Sequence, residues 1–410
     1  MPRFHFAAFT VFFCFVSSSA IGVTKTGLDV LSTSKTSILT SKRIGLICNQ
    51  TSQTNDGKFG PDILIKNKLK LVTLFSPEHG FSGIRKAGTT SDTATSYRGI
   101  PVYSLYGTTR KPTKKMLRGI DVLVFDIQDI GVRPYTYLST MILAMEAAAE
   151  AKIEFVVLDR PNPLGGERIE GNILDTTLRS FVGQVPIPYI HGMTLGELAK
   201  MAVGERWFRS AAKLKLTVIA MPDWKRIMTW RETGLDWTAP SPNIPTFESA
   251  VGAAMFGAIG ELGVLSVGVG SDSPFLRLGS RLVSSELLLD VTKQSISTEL
   301  SVRAEDFTVP YADSQKTYHG VAITLPKDIR SIKSLYQAQF KIFSALLKDT
   351  NFVKAYSAVV FSSKRMFEKV TGTTALLKAF QTATSPDSVI SVWKKDESRF
   401  RTLRKKYLLY

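Results

Sequence analysis

The amino-acid sequence predicts an α/β protein, with a parallel sheet covered by helices in residues 35–210 and a smaller α+β domain after it. Two observations support this fold class. Short, almost entirely apolar segments recur in the first half, as expected of strands that are buried on both faces. Segments with helical periodicity separate them, and this alternation is typical of a parallel sheet.

The strands and helices of the first half can be placed individually. The four predicted strands are Arg43–Cys48, Lys70–Phe75, Asp121–Asp126 and Glu154–Asp159. One helix is predicted over Thr136–Ala151. A second is predicted over Thr194–Val203, because Thr194 and Glu197 have the spacing of a capping box.

The pattern becomes mixed after about Leu214, and we place the domain boundary between residues 212 and 213. Amphipathic helices are predicted near the C-terminus, and the other predicted elements are a strand at Lys215–Ala220, a proline-rich loop at Ala239–Thr246 and a strand near Val321–Leu325. The apolar stretch Ala250–Gly270 is rich in glycine and is interrupted by Glu261. It therefore indicates a buried helix followed by a strand, and not a membrane span.

The composition agrees with two globular domains, since 410 residues exceed the roughly 100–200 of one domain. With 44% hydrophobic and 21% charged residues and no repeat, the chain is not disordered, collagen-like or a coiled coil. Two cysteines exclude a disulfide framework. The 52 basic against 35 acidic residues give a net charge of +17, which favours acidic partners such as nucleic acid, anionic lipid or an anionic cell-wall polymer.

Residues 1–20 are predicted to be a signal peptide. Arg3 supplies a positive charge, Phe6–Val16 forms an apolar run, and small side chains end it, so we expect cleavage after Ala20. A buried N-terminal strand is the alternative. The run is too short to span a bilayer, and we expect no membrane span. The mature chain would keep one cysteine, Cys48, and an exported protein without a disulfide fits a bacterial periplasm or cell surface.

Polar residues follow each of the four predicted strands. These polar clusters are Cys48–Ser52, Ser76–Gly80, Asp126–Tyr135 and Asp159–Pro163. Open α/β sheets bind ligands beyond the carboxyl ends of their strands. One such cluster could be turn chemistry, but four at the same edge indicate a site.

The residue types in the polar clusters favour glycoside hydrolysis. The chain lacks a GxGxxG fingerprint, a P-loop and a GxSxG elbow, and its histidines lack metal-motif spacing, so we predict no cofactor and no metal. Carboxylates are abundant there, and glycosidases need one carboxylic acid and usually a second group opposite it. Glu78, beside a proline and a histidine, is the favoured acid.

Each of these residues also has a structural interpretation. Glu78 could form an ion pair with Arg133 or Lys86, and Asp159 could hold Arg160 or cap a loop. Asp126 ends an apolar strand and could accept backbone N–H groups, because an unpaired carboxylate there would be costly to bury.

Seven longer motifs occur in order along nearly the whole mature chain. They are Leu74–Phe81, Phe125–Tyr137, Leu158–Gly166, Ile169–Gly171, Ile187–Leu198, Pro240–Thr246 and Arg404–Tyr410. These motifs resemble the NamZ/YbbC family of exo-β-N-acetylmuramidases. The resemblance implies an exported glycoside hydrolase that removes N-acetylmuramic acid from the non-reducing end of peptidoglycan fragments. It also implies a Rossmann-like N-terminal domain, a smaller C-terminal domain and an active site in the cleft between them.

The resemblance further implies roles for individual residues. Glu78 matches the family's favoured catalytic carboxylate, and we name Glu170 first and Asp126 second as its partner. The residues expected to bind substrate are Asn49, His79, Gln128, Arg133, Tyr135, Asp159, Arg160, Asn162, His191 and Asn243. Arg133 and Arg160 suit bidentate pairing with the lactyl carboxylate that distinguishes N-acetylmuramic acid from N-acetylglucosamine.

One region departs from the family pattern. Where relatives tend to have Glu-Gly-Thr and then Gly-x-Gly-Thr-Asp, this chain has Glu261–Val264 and Gly268–Asp272, and Ser273–Ser280 also differs. A non-catalytic protein that binds muropeptides or the cell wall is therefore the alternative function. Nucleic-acid binding is supported by charge alone, so we expect no nucleic-acid partner. The expected partners are muropeptides or disaccharides, and the expected state is a monomer or weak homo-oligomer.

Overall fold

The computed structural model describes residues 22–86, 88, 95–311, 314–382 and 384–410. The predicted signal peptide, residues 1–20, lies outside the described residues. The chain forms a large, mostly parallel sheet with helices on both faces, followed by a second, smaller sheet with further helices. This architecture confirms the predicted fold class. Within the described ranges, no helix has both the length and the apolar character needed to cross a membrane.

Seven strands form the sheet of the N-terminal half. They are β1 (Arg43–Cys48), β2 (Lys70–Ser76), β3 (Thr95–Tyr97), β4 (Ile100–Ser104), β5 (Val122–Asp126), β6 (Glu154–Leu158) and β7 (Leu216–Ile219). Their order across the sheet is β3-β4-β2-β1-β5-β6-β7, and every neighbouring pair is parallel except β3 with β4. The strand order reverses between β1 and β5, which is the usual ligand position in such sheets.

Helices lie on both faces of this sheet. Along each strand the side chains point alternately to one face and to the other. The helices are α1 (Gly27–Val30), α2 (Gly60–Lys66), α3 (Thr136–Ala151) and α4 (Leu195–Gly204). Leu123 and Phe125 of β5 pack in one core with α3 and α4, and Val122 and Val124 pack in the other with α1 and α2. Because both faces are covered, the central strands are apolar at nearly every position.

The C-terminal half is mixed. Its strands are β8 (Arg277–Ser280), β9 (Ser301–Ala304), β10 (Phe307–Tyr311) and β11 (Ser314–Thr324), and the long β11 pairs antiparallel with the other three. Its helices are α5 (Phe247–Gly260), α6 (Ser285–Ser295), α7 (Ala338–Leu346), α8 (Thr350–Ser357), α9 (Phe361–Thr371), α10 (Ala375–Gln381) and α11 (Asp387–Arg404).

Side chains from each half of the protein are buried in the hydrophobic core of the other half, and this packing positions the functional site. Ile130 and Val132, in the loop between β5 and α3, are buried in the C-terminal core with α5. In return, Phe400 of α11 and Tyr407 just after it are buried in the N-terminal core. The loop after β5 is therefore held by both halves.

Two predicted elements differ from the structure. The strand predicted at 215–220 was assigned to the second domain, but β7 pairs with β6 and belongs to the N-terminal sheet. The apolar stretch after α5 does not form the predicted strand, and only an isolated bridge joins Ser266 to Gly279. Residues 261–270 contain three glycines, and glycine disfavours strand formation.

Candidate functional site

A cavity of about 240 Å³ lies between the two halves. The N-terminal half contributes Glu78 and His79 after β2 and Pro134–Thr136 at the start of α3. The C-terminal half contributes residues of α5 and the segment that follows it, including Glu261 and Phe275. Of the residues predicted to form the site, Glu78, His79, Tyr135 and Asn243 line this cavity.

Glu78 is buried on a tight turn at the end of β2, where Gly80 N–H donates to the Pro77 carbonyl. The Thr136 hydroxyl donates to Glu78 Oε2 at 2.7 Å, and the Gly88 N–H donates to Oε1 at 3.3 Å. The Tyr106 hydroxyl is a third donor, and its burial together with the charge of Glu78 raises the pKa of Tyr106 to about 12. The carboxylate oxygens of Glu78 are the acceptors in all three contacts.

His79 is held on the same turn with a positive φ of 69°. Its Nδ1 lies 2.7 Å from the Arg85 carbonyl oxygen, which can only accept, so Nδ1 carries the proton of the neutral ring. Nε2 is then an acceptor nitrogen on a residue that lines the cavity. A sugar hydroxyl is a suitable donor to it.

Tyr135 enters the cavity from the residue before α3. Its ring lies 4.7 Å from that of Tyr137, in an edge-on arrangement, and burial raises the pKa of Tyr135. The Tyr137 hydroxyl donates to the Pro240 carbonyl and accepts from the Asn49 amide at 3.2 Å. Asn49 is therefore bonded to Tyr137. Through this contact the end of β1 is attached to the proline-rich loop that contains Asn243.

Glu261 is a second carboxylate on the cavity. It was not among the site residues predicted from the sequence. It follows Gly260, the last residue of the buried helix α5. The side chain of Glu261 is exposed at the cavity, but desolvation by the protein around it raises its pKa, and the negative end of the helix dipole also disfavours an ionised carboxylate there. The signal was present in the sequence, because Glu261 is the charged residue that interrupts the apolar stretch 250–270.

Asp126 and Arg160 lie outside this cavity and bind each other. Arg160 Nε is 2.6 Å from Asp126 Oδ1 and Nη2 is 3.0 Å from Oδ2, and the Ser52 hydroxyl also donates to Oδ2. Asp126 is fully buried. The pair lies beyond the ends of β1, β5 and β6, where a Rossmann-like sheet would place a ligand. Both side chains are therefore engaged by each other and not by the cavity that Glu78 lines, and a catalytic role for Asp126 and a substrate-binding role for Arg160 stay predictions.

Arg133 is likewise not available to substrate, because it is fully buried. Its Nη1 donates to the carbonyls of Asn172 at 3.0 Å and Ile187 at 2.7 Å. Its Nη2 donates to the carbonyls of Val370 at 3.1 Å and Thr371 at 2.7 Å, the last two residues of α9. Burial lowers the pKa of Arg133 to about 10. The predicted lactyl-binding arginine instead joins the two halves of the protein.

Glu170, the first-named partner of Glu78, also has a structural position. It is buried and accepts from the Ser334 hydroxyl at 2.8 Å and from the backbone N–H groups of Leu335 and Tyr336, both at 2.9 Å. Arg168 pairs with it at 2.6 Å. Its oxygens are saturated by protein donors, and it does not line the cavity with Glu78.

Asp159 and His191 are buried outside the cavity. Asp159 accepts from the hydroxyls of Thr194 and Tyr410, both at 2.6 Å, and its burial raises the pKa to about 6. Burial lowers the pKa of His191 to about 3, and its Nδ1 accepts from the Met193 N–H at 3.2 Å. Both residues stabilise the loops around α4, and their contact with substrate stays a prediction.

Gln128 and Asn162 organise the same edge of the sheet. Gln128 Nε2 donates to the carbonyls of Asp129 and Pro161, each at 2.8 Å. Asn162 accepts from the Leu164 N–H and donates to the Met193 carbonyl, each at 3.0 Å. These amides hold the loops and do not reach the cavity. Within the described part of the chain, no group of His, Cys, Asp and Glu is arranged to hold a metal ion.

Comparison with known proteins identifies the family. Residues 44–248 match the N-terminal model of the exo-β-N-acetylmuramidase NamZ, and residues 254–410 match its C-terminal model. The chain belongs to the NamZ family. It is 39% identical over 397 residues to the peptidoglycan β-N-acetylmuramidase NamZ of Bacillus subtilis (strain 168), covering 94% of this chain and 91% of that protein.

Two solved structures of DUF1343 family proteins from Bacteroides fragilis NCTC 9343 have the same fold. One has a TM-score of 0.86 and 39% identity, covering 94% of this chain and 99% of that one. The other has a TM-score of 0.73 and 30% identity, covering 95% and 99%. The cavity lies where the two NamZ regions meet, since Glu78 and Tyr135 belong to the first and Glu261 and Phe275 to the second.

Proposed function

We propose that this protein is an exported exo-β-N-acetylmuramidase that releases N-acetylmuramic acid from the non-reducing end of peptidoglycan fragments. The observation that supports this most directly is the pair Glu78 and Glu261 on one cavity. The similarity to the NamZ of Bacillus subtilis supports the choice of substrate. At about 240 Å³ the cavity is below the roughly 300–1,000 Å³ of sites for larger ligands, which suits removal of one terminal sugar.

The two carboxylates have different surroundings, and this difference suggests their roles. Glu261, whose pKa is raised, is the better suited of the two to donate a proton to the glycosidic oxygen as the bond breaks. Glu78, which the sequence alone favoured as the acid, accepts three hydrogen bonds and is assigned instead to assist attack at the anomeric carbon. His79 and Asn243 supply hydrogen-bonding groups for the sugar, and Tyr135 supplies an aromatic wall.

The test is hydrolysis of two β-N-acetylmuramides, one with an activated aryl leaving group and one with the natural N-acetylglucosamine. We expect Glu78→Gln to lose about 10²–10⁴-fold in kcat on both, as for removal of a catalytic carboxylate. Glu261→Gln should lose a similar factor on the natural disaccharide and much less on the aryl substrate, which needs no acid. Glu167→Gln, at an exposed position outside this cavity, is the matched control.

Each outcome decides between alternatives. Cleavage by Glu78→Gln at the wild-type rate would remove Glu78 from the mechanism but keep the enzyme. Equal losses of Glu261→Gln on both substrates would contradict its role as the acid. If the wild-type protein binds the disaccharide but cleaves neither substrate, the non-catalytic wall-binding alternative replaces the enzyme.

Export is tested separately, with the full chain expressed in a bacterium. We expect a processed protein outside the cytoplasm whose first residue is Ile21, because small residues precede that bond. An unprocessed chain retained in the cytoplasm would contradict the proposed export.

A further inference from the structure

The charges at the cavity are unsuited to an anionic sugar unless a cation lies at its edge. Among the described residues, the lining contains the carboxyl groups of Glu78 and Glu261 and no Lys or Arg. N-acetylmuramic acid carries a lactyl carboxylate that is ionised at neutral pH. The two arginines predicted to bind it, Arg133 and Arg160, are buried and already bonded.

Arg110 provides an exposed cation beside the cavity. Its guanidinium carbon lies 4.5 Å from the ring centre of Phe181 and 5.7 Å from that of Tyr106. Both rings connect to the site, because the Tyr106 hydroxyl bonds Glu78, and Val182, next to Phe181, lines the cavity. Within the described ranges, no carboxylate pairs with Arg110, and its side chain is exposed.

We propose that Arg110 binds the lactyl carboxylate of the terminal muramyl residue and so selects N-acetylmuramic acid over uncharged sugars. This inference rests on the proposed function. A guanidinium that contacts aromatic rings through its face keeps its N–H edges free, and those edges match a carboxylate in bidentate geometry. The two ring contacts also restrict the side chain before substrate binds, which lowers the entropic cost of pairing.

The neighbouring cations are less suited to this role. Lys111 is engaged by Glu146 and Glu150, each at 2.9 Å. Among the described residues Arg85 has no ion pair, but its side chain packs over Gly80 and not against a ring of the site. Arg85 is therefore the competing candidate in the test.

The test uses two aryl β-N-acetylmuramides that differ only in the lactyl group, which is a carboxylate in one and its primary amide in the other. For the wild-type protein we expect a lower KM for the carboxylate. Arg110→Ala should raise that KM about tenfold, as for loss of one charge-assisted contact, and leave the KM of the amide within about twofold. Arg110→Lys should be intermediate, and the exposed Arg118→Ala should have no effect.

The outcomes separate this proposal from the proposed function. If the wild-type protein cleaves both substrates with equal KM, or if Arg110→Ala raises both equally, the selectivity proposal fails while the enzyme stands. A selective rise with Arg85→Ala and none with Arg110→Ala would also overturn it. If neither substrate is cleaved, the proposed function itself fails. The preference should weaken from 0.05 to 0.5 M salt, roughly as an exposed ion pair is screened, and a salt-independent preference would contradict an ionic contact.

Discussion

Replacing Arg133 distinguishes the role predicted from the sequence from the one indicated by the structure. In Arg133→Met, four carbonyl oxygens from both halves of the protein lose their donor. Four hydrogen bonds from a charged group would contribute about 6–12 kcal/mol, at about 1.5–3 kcal/mol each. Burying the guanidinium costs several kcal/mol in return, so we expect the free energy of unfolding to fall by about 3–5 kcal/mol.

The assay is urea unfolding followed by tryptophan fluorescence, with Arg118→Met as an exposed control of the same chemistry. Kinetics are measured well below the unfolding transition, where KM for an aryl β-N-acetylmuramide should remain within about twofold of wild type, because Arg133 does not reach the cavity. If Arg133→Met unfolds like the wild type but shows a selectively raised KM for the muramide, Arg133 binds the substrate carboxylate and the structural reasoning is refuted.

Two further predictions concern the residues around this arginine and the loop before it. Gly372 follows the last residue of α9 with a φ of 70°, and a Cβ added there would lie 2.5 Å from Arg133 Nη2. A Cβ added at Gly263, which has a φ of 68°, would meet only open space. Gly263→Ala should therefore cost about 1 kcal/mol for backbone strain alone, and Gly372→Ala about 2–4 kcal/mol in the same urea titration; equal costs would contradict the contact. Burial raises the pKa of Asp129 to about 7, so the folded state holds a proton that the unfolded chain releases near pH 4, and stability should fall as pH rises between these values. Asp129→Asn, which keeps an acceptor for the Gly131 N–H, should remove this slope and gain on the order of 4 kcal/mol relative to wild type between pH 4 and 8; parallel pH profiles would contradict it.

Local patterns predicted the parallel sheet well because its strands are buried on both faces. The strand Arg43–Cys48 and the helix Thr136–Ala151 have the predicted bounds, since an apolar run and a helical period are visible in a short window of sequence. The short strands β3 and β4 near one edge of the sheet were missed, because only one of their eight residues is buried and they carry little hydrophobic signal.

The candidate site was predicted only in part. Glu78, His79, Tyr135 and Asn243 do line one cavity, and their roles in catalysis and binding stay predictions. Most of the other predicted residues also follow strands, but the structure bonds them to each other or to the backbone. Clusters of Asp, Arg and Asn look the same in sequence whether they serve a substrate or hold a loop.

The sequence by itself determined the fold class, the family and the turn that presents Glu78, because each depends on residues close together in the chain. Only the tertiary structure decided which polar groups are free. It bonds Arg133 to carbonyls more than two hundred residues away and brings Glu261 to the cavity with Glu78. A side chain's availability depends on its neighbours in space, and burial requires that most polar groups be bonded within the protein, so few remain for a substrate.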